Sequence, residues 1–374
     1  MKKYRTWSEI NLKTVSENIG EIKSIVKPNV KILVVVKADA YGHGAISIGR
    51  TALESGASYL GVGDSTEAIE LRQAGILAPI LILGAMIEEE IGWIISYDIT
   101  PTIHSMDLVE LLNNEAIRQN KKLKVHLKID TGLTRLGASP ERAVEIVKKI
   151  KSMPNLDLEG ISSHLSSSFN PDEMEYTKKQ VELFNQAIKK VEYNGFRIPL
   201  KHIASTGAVY TLEASHFNLV RVGGVVYGID PGVISKAGVK FKPILTLKSQ
   251  IAFLKIIPAG TPVGYYRTHT ATKRSKIATI PIGYNDGYPY QLGNKGYVLI
   301  QGKKAPVVGT ISMDYIMVDV TQIPEAKVGD EVVLIGQQGK SRIIAEELAK
   351  LAGISPYVIT CGLGKRVRRM YVNR

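Results

Sequence analysis

From residue 12 to about 228, short β-branched runs alternate with stretches of helical spacing, and that alternation leaves few folds open. Leu12, Val15, Ile19, Ile22 and Val26 recur on one helix face. KILVVVK (31–37) follows. Further runs of that kind are YLGVG (59–63), ILIL (80–83), ITPTIH (99–104), VHLKID (125–130), LEGISSH (158–164), LKHIAS (200–205) and NLVRVGGVVYG (218–228). Helical patterns separate most of them. Ser139-Pro140 and Asn170-Pro171 each read as an N-cap with proline at the first helical position, and Glu173 adds a capping-box partner. Eight strand candidates alternating with helices predict an α/β fold, a parallel (β/α)8 barrel of TIM type. A doubly wound sheet is the structural alternative.

The texture changes after about residue 235. KPILTLKSQIAFLKIIP, KIATIPIGY, GYVLIQGKKAPVVG, MVDVTQI and DEVVLIG read as strands joined by Gly, Pro and Asp turns, and only 342–352 reads as a good helix. Two domains are expected: a barrel over 1–235 and a mostly β domain over 236–374. The strand-like RTWSEINL near the start is a candidate to pair with the second.

Composition narrows the function. With 374 residues, 44% hydrophobic and 22% charged, the chain can bury ordinary cores. The single cysteine, Cys361, excludes an internal disulfide or a Cys-rich zinc site, and no metal is expected. The MKKYRTWSEINL start has no apolar run behind its lysines, and the longest apolar stretch, 76–87, is broken by Pro79 and Gly84. That is short of the roughly 20 residues of a membrane span, so a soluble, cytoplasmic protein without membrane association is expected. The net charge of +13 suits anionic small molecules or nucleic acid. No aromatic-interleaved or zinc-finger signature supports nucleic acid, and the basic run Lys365, Arg366, Arg368 and Arg369 also reads as a solvated face.

Lys37 ends the first barrel strand, and barrel active sites sit at the C-terminal strand ends. Burial there would lower its pKa and make it an amine nucleophile; a lysine snorkelling from the barrel mouth is the other reading. A phosphate-bearing ligand would be held after strands seven and eight, where Ser205-Thr206-Gly207 and Arg221-Val222-Gly223-Gly224 stand. As residues alone, these are also ordinary turns.

The string Val36-Lys37-Ala38-Asp39-Ala40-Tyr41-Gly42-His43-Gly44 resembles the lysine motif of alanine racemases. A second match is His126-Leu127-Lys128-Ile129-Asp130-Thr131-Gly132-Leu133-Thr134-Arg135-Leu136-Gly137. Val263-Gly264-Tyr265, Ile282-Gly283-Tyr284-Asn285-Asp286-Gly287-Tyr288-Pro289 and Ser312-Met313-Asp314 follow in the family's order, so the resemblance covers essentially the whole chain.

The resemblance implies a pyridoxal 5′-phosphate (PLP) enzyme that racemises alanine with two bases. Lys37 would hold PLP as a Schiff base and serve one face of the α-carbon, and Tyr265 of a partner subunit the other. Tyr41, Thr206, Gly223, Gly224 and Lys365 join the cofactor set. Arg221 would face the pyridine nitrogen and His164 would link it to Tyr265. A cationic partner disfavours ring protonation and so favours reprotonation over transamination. Arg135, Tyr284 and the Met313 backbone would serve the substrate, and Lys128, often carbamylated in the family, would position Arg135. In isolation Tyr265 also reads as a packed aromatic, His164 as a core histidine, and Arg135 as half of a surface pair with an aspartate. A homodimer with shared active sites, a small amino-acid substrate and a part in peptidoglycan precursor supply are implied as well.

The chain departs from the family pattern at Ser205, where asparagine is common, at Tyr266-Arg267, where smaller residues are frequent, and at Lys365, often a tyrosine. Loss of that ring could widen the pocket, which opens serine or a broader substrate range. The rivals are a PLP amino-acid decarboxylase, for which an acidic partner to the ring nitrogen is expected, and a non-catalytic PLP carrier, which would have no use for Tyr265.

Overall fold

The computed structural model describes residues 4–229 and 241–373. The chain forms two compact units, one of residues 15–40 and 45–241, the other of 1–14, 41–44 and 242–374. The domain boundary expected at 235 lies outside the described residues.

In the first unit, eight parallel strands occupy the eight expected runs: β2 (Lys31–Val35), β3 (Tyr59–Val62), β4 (Ile80–Ile82), β5 (Thr102–Ile103), β6 (Leu123–Lys128), β7 (Leu156–Ser162), β8 (Leu200–His202) and β9 (Leu219–Val222). They pair in the orders β4-β3-β2-β9 and β5-β6-β7-β8. A parallel bridge between Leu81 and Thr100 joins β4 to β5. The Arg221 N–H donates to the Ala204 carbonyl (3.1 Å) and joins β9 to β8, which closes a (β/α)8 barrel. Most positions on these strands are buried Val, Ile or Leu, as strands covered on both faces require. Helix α1 (Leu12–Ile25) buries the predicted stripe of Leu12, Val15, Ile19 and Ile22. The two proline starts hold, with a difference. Pro140 and Pro171 each open a short 3₁₀ turn before the α-helix, and only Asn170 caps with its side chain, accepting from the Asp172 N–H (3.1 Å).

The second unit is mostly β. Its main sheet contains the N-terminal strand β1 (Thr6–Asn11), antiparallel to β10 (Leu245–Gln250) and parallel to the last strand, Arg368–Val372. A three-stranded sheet packs Ile257, Val263, Ala271, Ile277 and Val308 into a separate small core. Besides the helix Ala345–Ala352, a second helix, Pro356–Cys361, is present. Its Ser355-Pro356 start carries the same signal as the barrel helices. Among the described residues no helix is long and apolar enough to cross a membrane, and no cluster of His, Cys, Asp and Glu could hold a metal ion.

Between β2 and the helix Ala45–Glu54 the backbone takes a form that no propensity in the segment predicts. Ala38, Asp39, Ala40 and Tyr41 all have positive φ (52°, 53°, 52° and 55°), so the segment after Lys37 is one turn of left-handed helix. For L-residues this costs roughly 1–2 kcal/mol each. Specific bonds hold it. The Glu67 carboxylate accepts from the Ala38 N–H (2.5 Å) and the Gly63 N–H (2.7 Å), and Asp39 accepts from the Ala45 N–H (2.8 Å).

Candidate active site

The C-terminal end of the barrel gathers Lys37, Lys128, Arg135, His164, Thr206, Arg221, Gly223 and Gly224 from the ends of β2, β6, β7, β8 and β9. Lys37 is exposed, in keeping with the second of its two readings, a lysine that extends from the barrel mouth. Strand β2 ends at Val35, and Lys37 stands two residues past it, at the base of the left-handed turn.

Arg221 is the hub. It is 4% exposed, and its guanidinium donates to the carbonyls of Ser163 (2.7 Å), His202 (3.0 Å) and Ile203 (3.2 Å). It also reaches Nδ1 of His164 (3.0 Å) and Nδ1 of His202 (2.8 Å). Burial, with Arg135 nearby, pushes its pKa down to about 10, so it stays a cation at neutral pH. Lys128 is buried at the end of β6. Burial first, then Arg221 and Arg135, holds its amine well below the usual lysine range. Arg135 is exposed on the loop after β6, whose shape is set by Asp130: one carboxylate oxygen accepts from the N–H groups of Gly132, Leu133 and Thr134 (2.9, 3.1 and 3.1 Å).

The two small-residue turns meet. The Gly223 N–H donates to the Thr206 hydroxyl oxygen (3.0 Å), which leaves the hydroxyl proton free to donate outward. A Cβ at Gly207 would lie 2.8 Å from the Phe169 ring and 2.9 Å from the Ser168 hydroxyl, so only glycine lets these loops close up. A buried cation, a free hydroxyl and glycine backbone beside an exposed lysine amine form a donor set suited to an anionic aldehyde such as PLP.

The second unit collects the remaining predicted residues on its own loops. Tyr284 and Asn285 donate their N–H groups to the carbonyls of Ser312 (3.1 Å) and Met313 (3.2 Å). Arg366 binds Asp286 through Nε (2.9 Å) and Nη2 (3.1 Å), and Asp314 through Nη1 (2.7 Å), which ties the segment bearing the exposed Lys365 to both loops. Thr310 donates its hydroxyl to the Tyr265 carbonyl (3.0 Å). Tyr265, Met313 and Tyr284 are 67%, 52% and 45% exposed. Tyr41, which the left-handed turn hands to this unit, packs its ring 5.4 Å from that of Tyr357, and burial raises its hydroxyl pKa. The departure Tyr266 sits at φ 59°, a left-handed position that favours glycine.

Sequence reasoning overlooked Glu67, His202, Glu159 and any role for His126. The available signal was a histidine at an inward position of two barrel strands.

Three histidines at this end of the barrel carry a consequence for stability. Burial lowers the pKa of His126, His164 and His202 from 6.5, with Arg221 the next cause for the latter two. The unfolded chain therefore binds more protons just below 6.5. Stability from these groups is complete above that value and is lost as pH falls through the window beneath it. The thermal midpoint of the protein should fall progressively from pH 7 to about 5. A midpoint that stays flat over that range would contradict a folded state that holds the three rings neutral.

Comparison with known proteins agrees over the full length. The model described as "Alanine racemase, N-terminal domain" matches residues 10–231, and that of the C-terminal domain matches 244–371. The alanine racemase of Halothermothrix orenii is 41% identical over 369 residues, covering 99% of this chain and 97% of its own. The solved alanine racemase of Clostridium difficile 630 superposes with a TM-score of 0.95 at 36% identity, covering 100% of this chain and 97% of that one. That of Bartonella henselae, solved with covalently bound pyridoxal phosphate, gives 0.88 at 28% identity and covers 99% and 100%.

Proposed function

Because the chain belongs to the alanine racemase family, isomerases acting on amino acids, we propose that it interconverts L- and D-alanine with PLP by a two-base mechanism. The observation that carries this reading is Arg221, a buried cation hydrogen-bonded to His164 beside the lysine-bearing strand end. When bound, PLP supplies an electron sink for the charge left on the α-carbon. Lys37 would hold it covalently. Thr206, Gly223, Gly224 and Lys365 would hold the phosphate, with Tyr41 and His164 at its flanks and Arg221 at the ring nitrogen.

Each proton transfer needs a group on its own face. Lys37 Nζ serves one. For the other, Tyr265 of the partner subunit supplies a phenolic oxygen. Arg221 can only donate, so the His164 Nδ1 it touches must accept, and any proton on that ring sits on Nε2. There it can donate to the phenolic oxygen of Tyr265. Exposure of Tyr265, Tyr284 and Met313 on one chain supports a homodimer that covers them. Arg135 and the Met313 backbone would receive the substrate carboxylate, with Tyr284 beside them. Lys128, an amine whose charged form is disfavoured by burial and two arginines, suits carbamylation, because a carbamate would balance those cations and position Arg135. The proposed setting is cytoplasmic, with D-alanine going to peptidoglycan precursors.

The holoenzyme should be incubated with L-alanine in D₂O while the α-proton is followed by NMR and the enantiomers by chiral assay. Exchange with D-alanine appearing is the expected result. A parallel serine sample reads the substrate range. No exchange of alanine would refute the proposal, and carbon dioxide release would turn it toward decarboxylation.

A further inference from the structure

Arg221 is a buried cation whose hydrogen-bond partners are three carbonyls and two imidazoles, none of them anionic. A carboxylate is nonetheless connected to it. His202 Nδ1 receives Arg221 Nη1 at 2.8 Å, His202 Nε2 lies 2.8 Å from His126 Nδ1, and His126 Nε2 lies 3.2 Å from Glu159 Oε2. The other Glu159 oxygen accepts from Lys124 Nζ (2.9 Å).

The ends of this chain determine its direction. A guanidinium only donates, so His202 Nδ1 must accept and its proton sits on Nε2. That proton points at His126 Nδ1, which must accept in turn, so the His126 proton also sits on Nε2 and is donated to Glu159. Burial pushes the Glu159 pKa up, but the bonds from His126 and Lys124 outweigh it and draw the value down to about 2, so the terminal acceptor is a carboxylate. Both rings are fully buried and are held neutral. The path exists because of Gly160: a Cβ there would come within 2.5 Å of the His126 ring.

We propose that Glu159, His126 and His202 are positioning residues that deliver a counter-charge to Arg221 through two imidazoles locked in the same tautomer. Each donation along the line strengthens the next acceptor, so the negative end makes His202 Nδ1 a better partner for the guanidinium. Arg221 is thereby fixed on two ring nitrogens, His202 and His164, and among the described residues no carboxylate is hydrogen-bonded to its guanidinium. The other charged or titratable neighbours are Lys124 and Tyr59 at the Glu159 end, and Lys128 and Arg135 at the Arg221 end. The catalytic consequence rests on the racemase reading; the tautomer pattern does not.

The test is long-range ¹H–¹⁵N NMR of the imidazoles in the holoenzyme, paired with steady-state kinetics of Glu159→Gln. Both rings should show a single Nε2–H tautomer between about pH 7 and 9. Glu159→Gln keeps shape and an acceptor oxygen but removes the charge, and should lower kcat about tenfold while KM for alanine stays within about twofold. A proton on Nδ1 of either ring, or a doubly protonated ring at neutral pH, would overturn the relay. So would a Glu159→Gln enzyme with unchanged kcat. If that variant does not fold, the tautomers of the unaltered protein still decide. Turnover of alanine by the unaltered enzyme decides the racemase reading separately.

Discussion

Lys37→Ala is expected to abolish racemisation, with a loss of at least about 10⁴-fold, because one side chain would supply both covalent attachment and one of the two bases. Lys37 is exposed, so the fold loses no buried side chain and the melting curve should be close to that of the PLP-free parent. Two measurements separate chemistry from collapse. PLP should no longer stay with the protein through exhaustive dialysis, and a small primary amine added to the assay should restore part of the rate by replacing the missing nitrogen. A Lys37→Ala enzyme that racemises alanine without added amine would remove Lys37 from the mechanism.

Tyr265→Phe is expected to cost about 10²–10⁴-fold in racemisation, the range of a positioned acid–base group. Its diagnostic feature is asymmetry. In D₂O, one enantiomer of alanine should still exchange its α-proton through Lys37, while the other exchanges at the residual rate. Equal loss for both enantiomers would mean that Tyr265 acts on binding and not on one face. The hydroxyl lies on a side chain 67% exposed in the single chain, so unfolding is not the explanation for a loss of this kind.

The barrel was largely legible because its strands are apolar runs bounded by turn residues, and period and composition report that directly. Boundaries were less so. The run at 99–104 contracts to Thr102–Ile103 because Pro101 has no N–H to give to a ladder. The run at 296–309 divides into two strands at Gln301-Gly302, both at positive φ, the geometry of a tight hairpin turn. The run at 242–258 is also two strands, Leu245–Gln250 and Phe253–Ile257, which belong to different sheets. At the site, motifs named the residues near the strand ends and two that would orient them, Lys128 and His164, but not the groups farther out. Glu67 meets its partners through the β2–β3 pairing, Glu159 through β6–β7, and only His202 depends on the β8–β9 junction that closes the barrel, so none of these contacts can be read from local sequence. The choice between a buried and an extended Lys37 was open in the sequence, since it depends on where β2 stops.

The left-handed turn after Lys37 has a consequence for the order of folding. Isolated L-residues do not dwell in that hand, so no local propensity can pre-form the segment in the unfolded or nascent chain. It becomes stable only once Glu67 and Asp39 have their native backbone partners, and after barrel strands β2 and β3 are paired. The lysine therefore acquires its orientation late. Mutations within 38–41 should mainly speed unfolding and leave the refolding rate nearly unchanged, since the turn is absent from the transition state. A chain emerging from synthesis would then carry Lys37 as an ordinary surface amine, no more selective for one aldehyde than any other lysine, until the scaffold that gives it a purpose is complete.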